Sequence, residues 1–283
     1  MHPLKFSLSL ILLALALLAL SGCAHLDVQL AQFMTPDRGT RNAKLPAGYI
    51  VENRIITQGA QSIGITHARH AGSQAVIIFC GGDRFHRSIE GGEVLEALTL
   101  DADVVLFDYP GYGDTTGTPS TATILDTAAA VYDHIFNLET TAGKKRVLYG
   151  FSLGGMVAAH LAQDRRVDGL VLESTPTTVA AWARSRIPLA LKPIVKARIE
   201  PQLSGMDSVA ALEHFPGQVL LLASRADEIV PARHSLEMER RLKRTERDVR
   251  LIEFPNRRHG ALVRSPAYAA TVRHFLEHVR ALP

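Results

Sequence analysis

Gly150-Phe151-Ser152-Leu153-Gly154-Gly155 follows the apolar run Arg146-Val147-Leu148-Tyr149 and precedes Met156-Val157-Ala158-Ala159-His160-Leu161, a stretch of helical character. Strand, sharp turn and helix is the setting a nucleophile elbow requires. The serine of such a turn is held so tightly that flanking side chains would collide, and glycines stand two residues away on either side. The geometry puts Oγ at the tip of the turn and aims the Leu153 N–H and the helix N-terminus at whatever is attacked. Ser152 is therefore the candidate nucleophile. The five-residue pattern alone recurs by chance, and its weight comes from the strand-turn-helix context and from partners downstream.

Outward from this point one pattern repeats. Apolar runs at Gln74–Cys80, Asp103–Tyr109, Lys145–Phe151, Val167–Ser174, Gln218–Ala223 and Val249–Phe254 read as strands. Several are apolar throughout rather than alternating, as strands buried on both faces are. Between them Glu90–Leu100, Ser120–Leu138, Leu153–Asp164, Pro231–Lys243 and Pro266–Arg280 have helical spacing. The alternation predicts a mostly parallel, twisted α/β sheet with helices on both faces. Tyr49–Thr57 and Ile63–His70 would begin it with an antiparallel pair. No internal repeat or low-complexity segment interrupts the pattern.

A serine hydroxyl is a poor nucleophile near neutrality, so it needs a base within hydrogen-bond reach and a carboxylate to orient that base. Gln218–Ala223 is followed by Ser224-Arg225-Ala226-Asp227-Glu228, which puts Asp227 just past a strand end. Val249–Phe254 is followed by Pro255-Asn256-Arg257-Arg258-His259-Gly260, which puts His259 in the loop before the last helix. Of the 12 histidines, His160, His234, His274 and His278 fall within helices and read as surface or core residues. Glu173, ending the Val167 run, and Glu228, beside Asp227, remain alternatives for the acid.

Leu153 N–H is one oxyanion donor, and the second is expected from the loop Cys80-Gly81-Gly82-Asp83-Arg84-Phe85-His86-Arg87, with Gly82 N–H as the candidate. Asp83 would oppose a developing oxyanion, so it is expected to turn away and pair with Arg84 or Arg87. Cys80 reads as a buried strand residue. Residues 175–205 break the rhythm: they hold Trp182, Pro188, Pro193 and Pro201, and set five basic side chains, from Arg184 to Arg198, against Glu200 alone. A connection this long inside a domain usually has a role, here a small helical cap over the sheet edge where Ser152 points.

The amino end bears on location. Lys5, an apolar stretch from Phe6 to Leu20 and then Ser21-Gly22-Cys23 have the layout of an export signal. The stretch falls short of the roughly 20 residues of a spanning helix. The small pair before Cys23 resembles the lipobox of bacterial lipoproteins. That resemblance implies a signal peptide over 1–22, lipidated (palmitate-type) Cys23 as the mature first residue, and a tether over 23–48. The chain would then face the periplasm from a membrane of the bacterial envelope. With Cys23 lipidated, Cys80 is the remaining cysteine and no intrachain disulfide can form. Basic residues exceed acidic ones by 31 to 28 across 283 residues, a balance that argues against nucleic acid as a partner. Ligand-spaced His, Cys and carboxylate clusters are not visible, so neither metal nor cofactor is expected.

Asp108-Tyr109-Pro110-Gly111-Tyr112-Gly113-Asp114, the Ser152 elbow, Asp227–Pro231 and His259 together resemble the α/β-hydrolase domain proteins of the serine aminopeptidase-like, membrane-associated branch. The likeness runs from about Tyr49 to the carboxyl end, so 49–283 is expected to be one α/β-hydrolase domain. It implies a serine hydrolase acting on esters or thioesters of acyl chains, with lysophospholipids and acylglycerols as typical substrates. Two departures stand out: Cys80 replaces the family's usual histidine before glycine, and Ala223-Ser224 replace His-Gly ahead of the acid loop. Asp108 reads as a loop-fixing carboxylate. Two other readings stay open, a peptidase of the same fold and a non-catalytic envelope lipoprotein that binds through the scaffold.

Overall fold

Strand β4 (Ala75–Cys80) shows how the sheet is covered. Val76, Ile78 and Cys80 enter one core while Ala75, Ile77 and Phe79 enter another, all of them buried. Alternate residues of a strand point to opposite faces, so an unbroken apolar run requires cover on both sides. The computed structural model describes residues 24–34 and 48–282; the expected signal peptide and Cys23 lie outside them.

The first face is covered by α2 (Thr121–Phe136), α3 (Leu153–Asp164), α5 (Ser208–Leu212) and α6 (Arg233–Arg244), through residues such as Ile124, Val157, Leu212 and Met238. The other is covered by α1 (Gly91–Leu98) and α7 (Pro266–Ala281), through Leu95, Leu98, Val272 and Leu276. Each such side chain contributes about 1.5–3 kcal/mol by leaving water. No helix among the described residues is long and apolar enough to cross a membrane.

The remaining strands of the sheet are β2 (Tyr49–Gln58), β3 (Gln61–His70), β5 (Asp103–Phe107), β6 (Lys145–Phe151), β7 (Gly169–Glu173), β9 (Gln218–Ser224) and β10 (Val249–Phe254). Their order is β10-β9-β7-β6-β4-β5-β3-β2. From β10 to β5 neighbours are parallel, and β3 and β2 add antiparallel partners at one edge. The strand order reverses between β4 and β6. Loops leave in opposite directions there and open a crevice at the carboxyl edge, which is where open α/β sheets bind ligands. The loop bearing Gly82 leaves β4, and Ser152 leaves β6.

The expected elements are present, and β6, β10 and α3 have the bounds read from the sequence. The amino-terminal lead-in and the insert differ. Residues Ala24–Val28 form β1, parallel to β8 (Val195–Ile199) in the insert. The segment read as tether is thus partly built into the fold, with Val28, Leu30 and Met34 buried in the first core. The insert carries α4 (Val179–Arg186), as a helical cap would, but also this strand. A five-residue strand whose partner lies about 170 residues away leaves no local periodic trace.

Candidate active site

Ser152 has φ 55° and ψ −118°, a left-handed position costly for a residue with a Cβ, about 1–3 kcal/mol. Its N–H donates to the Glu173 carbonyl at 2.9 Å, which ties the turn to β7. A Cβ on Gly154 would lie 2.0 Å from the Cys80 carbonyl oxygen, and one on Gly150 would lie 2.4 Å from Gly155 Cα. The glycines flanking the serine are therefore required by close backbone approach. The contact of Gly154 with Cys80 also seats the elbow directly against the β4 loop.

Asp227 and His259 meet beside this turn. His259 Nδ1 is 2.9 Å from Asp227 Oδ2, while Asp227 Oδ1 accepts the Ile229 and Val230 N–H groups at 2.9 and 2.8 Å. Burial pushes the Asp227 carboxyl up, but hydrogen bonding and charge from His259 and the Val230 N–H outweigh it, leaving it below its ordinary value. It is thus held as a carboxylate against the imidazole. The two alternative acids do other things. Glu228 accepts the His259 backbone N–H at 3.2 Å and pairs with Arg258, bracing the loop. Glu173 accepts from the Tyr149 hydroxyl, which lies 2.6 Å from the Tyr268 hydroxyl. Phe151 packs at a tilt against the His259 ring with centroids 4.9 Å apart.

The β4 loop is positioned by the loop that follows β5. Tyr109 donates its hydroxyl to the Gly81 carbonyl at 3.0 Å, and Tyr112 donates to the Asp83 carbonyl at 2.8 Å. A trans peptide places C=O and N–H on opposite sides, so fixing the Gly81 carbonyl fixes the direction of the Gly82 N–H. A methyl at Gly82 would lie 3.6 Å from Ser152 Cβ. Gly82 and Leu153 thus flank the serine.

The expected pairing of Asp83 with Arg84 or Arg87 is corrected for Arg87, which is committed elsewhere. The Arg87 backbone N–H and Nε bond the two oxygens of Asp108 at 2.8 and 3.1 Å, and its guanidinium also holds Asp114. Asp108 is the loop-fixing carboxylate, buried and paired with a guanidinium that is itself largely buried. Asp83 lies near Arg84 but lines both pockets that flank Ser152, and burial raises its pKa against the pull of Arg84 and His259.

One of those pockets, about 80 Å³, is lined by Ser152, Leu153 and Met156 together with Val179, Trp182 and Leu203 from the insert and Phe33 from the lead-in. The insert therefore closes over the serine, and Phe33 packs edge-on against Trp182 at 5.2 Å. The other pocket, about 210 Å³, lies between Gly82, Phe151, Gly260 and α1. Cys80 is fully buried, with its thiol pushed up to about 12 by burial. His234 is buried beside Thr177, and burial lowers it to about 4. Among the described residues no group of three or more His, Cys, Asp or Glu could hold a metal ion.

Sequence reasoning missed Tyr109, Tyr112, Phe33 and the Tyr149–Tyr268 pair. The repeated tyrosines of Tyr109-Pro110-Gly111-Tyr112 were a signal in principle; the others are joined only through long-range packing.

Comparison with known proteins agrees with this architecture. Residues 76–193 match a family described as alpha/beta hydrolase fold. The uncharacterized protein Rv2307c of Mycobacterium tuberculosis is 30% identical over 191 residues, 66% of this chain and 65% of that protein. The uncharacterized membrane protein YNL320W of Saccharomyces cerevisiae is 28% identical over 176 residues, 61% of this chain and 60% of that protein. The chain thus spans somewhat under two thirds of the length of these relatives. Among solved structures, an esterase of Pyrococcus furiosus superposes with a TM-score of 0.70 at 18% identity, covering 88% of this chain and 98% of the esterase.

Proposed function

Because the chain adopts the α/β-hydrolase fold, we propose that it is a serine hydrolase that cleaves carboxylic esters or thioesters of acyl substrates. The observation that carries this reading is the Asp227–His259 hydrogen bond of 2.9 Å at the sheet edge where strained Ser152 follows β6. His259 takes the Ser152 proton as Oγ attacks the acyl carbonyl. The Leu153 and Gly82 N–H groups hold the oxyanion, and Asp227 keeps the imidazole oriented and stabilises it once charged. The proton then passes to the departing alcohol or thiol. Water, deprotonated by His259, attacks the acyl-enzyme and releases the acid with Ser152 restored. Each oxyanion donor is worth roughly 10²–10³ in turnover.

The apolar lining of the 80 Å³ pocket supports an acyl substrate, and the Pyrococcus esterase supports ester chemistry on this fold. The same reading includes lipid attachment at Cys23, supported by Ser21-Gly22-Cys23 after the apolar stretch and by a relative described as a membrane protein. A fluorophosphonate probe should label the wild type and not Ser152→Ala. Nitrophenyl esters should be cleaved faster than aminoacyl anilides; the reverse order would favour a peptidase, and no labelling would favour a non-catalytic binder.

A further inference from the structure

The 210 Å³ pocket has no role in the steps above, and its lining is chemically uneven. Its walls are apolar, with Phe79, Phe85, Val94, Phe151 and Val263. Two buried polar side chains, Glu173 and Tyr268, also line it. Toward solvent it carries the carboxyls of Asp83, Glu90 and Glu93 against the single guanidinium of Arg84.

Its position assigns it a part of the substrate. The imidazole that takes the serine proton must return it to the departing oxygen, so the leaving group lies on the imidazole's side. The pocket meets that side. Phe151 packs against the His259 ring, Gly260 follows His259 in the chain, and both Phe151 and Gly260 line the pocket. The smaller pocket behind Ser152, under Trp182 and Val179, is left for the acyl chain.

We propose that the larger pocket is the leaving-group subsite, selective for uncharged alcohols with an apolar body ending in a hydroxyl, and that Glu173 is the specificity-determining residue receiving that hydroxyl. The proposal rests on the reading of Ser152 as the nucleophile of an esterase. Ionised, this carboxyl offers about four acceptor sites, and protonated it keeps acceptor capacity and gains a donor, in either state more than the two neighbouring tyrosine hydroxyls fill. Tyr149 donates to Oε2, and Glu173 lines the cavity beside Tyr268. An alcohol ending in a methyl would strip water from this carboxyl without replacing the hydrogen bond, which is the costly arrangement. An anionic leaving group would enter among four carboxyls and one guanidinium. Acylglycerol-like esters thus fit the pocket and lysophospholipid headgroups do not.

The test compares three butyrate esters of six-carbon alcohols: hexyl, 6-hydroxyhexyl and 5-carboxypentyl. On the wild-type protein kcat/KM for the 6-hydroxyhexyl ester should exceed that for the hexyl ester roughly tenfold, with the carboxypentyl ester slowest. In Glu173→Leu the hydroxyl preference should fall to about one. Should that variant not fold, the isosteric Glu173→Gln carries the test at pH 8, where the wild-type carboxyl is ionised: the carboxypentyl ester should gain on the hexyl ester because one negative charge is gone, and an unchanged ratio would overturn the assignment. Equal rates for the hexyl and hydroxyhexyl esters on probe-reactive wild type would overturn the assignment. So would a hydroxyl preference that survives in a probe-reactive Glu173→Leu. Absence of fluorophosphonate labelling in the wild type would instead remove the hydrolase reading beneath it.

Discussion

His259 Nδ1 stands 2.9 Å from Asp227 Oδ2, while the other oxygen of that carboxylate is held by the N–H groups of Ile229 and Val230. The carboxylate is thereby fixed by its own loop, and the imidazole takes its orientation from it. Asp227→Asn keeps the shape but offers His259 Nδ1 an amide in place of an ionised acceptor. Turnover of a nitrophenyl ester should fall about 10³–10⁴-fold with thermal stability little changed. A loss under tenfold would mean that Asp227 does not orient the base.

Tyr109 reaches the site through one carbonyl. Tyr109→Phe frees the Gly81 C=O that its hydroxyl holds at 3.0 Å, loosening the adjoining Gly82 N–H. The expected result is a roughly tenfold to hundredfold lower kcat with KM nearly unchanged, since an oxyanion donor acts in the transition state. A rise in KM alone would assign Tyr109 a packing role.

Gly154→Ala would place a methyl 2.0 Å from the Cys80 carbonyl oxygen. Neither backbone can yield without moving the elbow or the β4 loop. Stability should drop by about 1–3 kcal/mol or more in denaturant unfolding, and fluorophosphonate labelling of Ser152 should be lost or greatly slowed. Unchanged labelling would show that the two backbones have room to separate.

Burial raises Glu173 from an ordinary 4.5 to about 7, against the lowering pull of the Tyr149 hydroxyl and His259. The folded protein therefore binds this proton more tightly than the unfolded chain. The resulting stability is fully present below about pH 4.5 and is lost as pH rises through 7. It amounts to about 3 kcal/mol. Glu173→Gln should flatten the decline in stability between pH 5 and 7 relative to wild type, as followed by urea unfolding at a series of pH values. An unaltered slope would place the titration elsewhere.

Phe33 lines the pocket that holds Ser152 and packs on Trp182. Phe33→Ala should widen that pocket, raising KM for short acyl esters severalfold and favouring longer chains in a nitrophenyl ester series. An unshifted chain-length profile would show that the lead-in does not border the acyl site.

The sheet was legible because its evidence is local. Strands buried on both faces need apolar residues at every position, and Ala75–Cys80 has them throughout, as the buried part of Lys145–Phe151 has from Val147 on. The elbow was legible for a related reason: the turn's own backbone excludes a side chain at Gly150, although the exclusion at Gly154 comes from the Cys80 carbonyl of the distant β4 loop. Asp227 and His259 could be named from their places after β9 and β10, although the sequence left Glu173 and Glu228 open as rivals.

What only the tertiary structure decided depends on contacts between segments distant in the chain. Which carboxylate meets His259 is set by the parallel pairing of β9 with β10, which brings two separate loops together. The pairing of β1 with β8 and the entry of Phe33 beside Ser152 join residues about 170 apart. The commitment of Arg87 to Asp108, which leaves Asp83 facing the pockets, is likewise a choice among charges that the chain order does not rank. Periodicity and steric exclusion act over a few residues and are written in the sequence, whereas partner choice among polar groups is made when the folded chain brings competitors within reach.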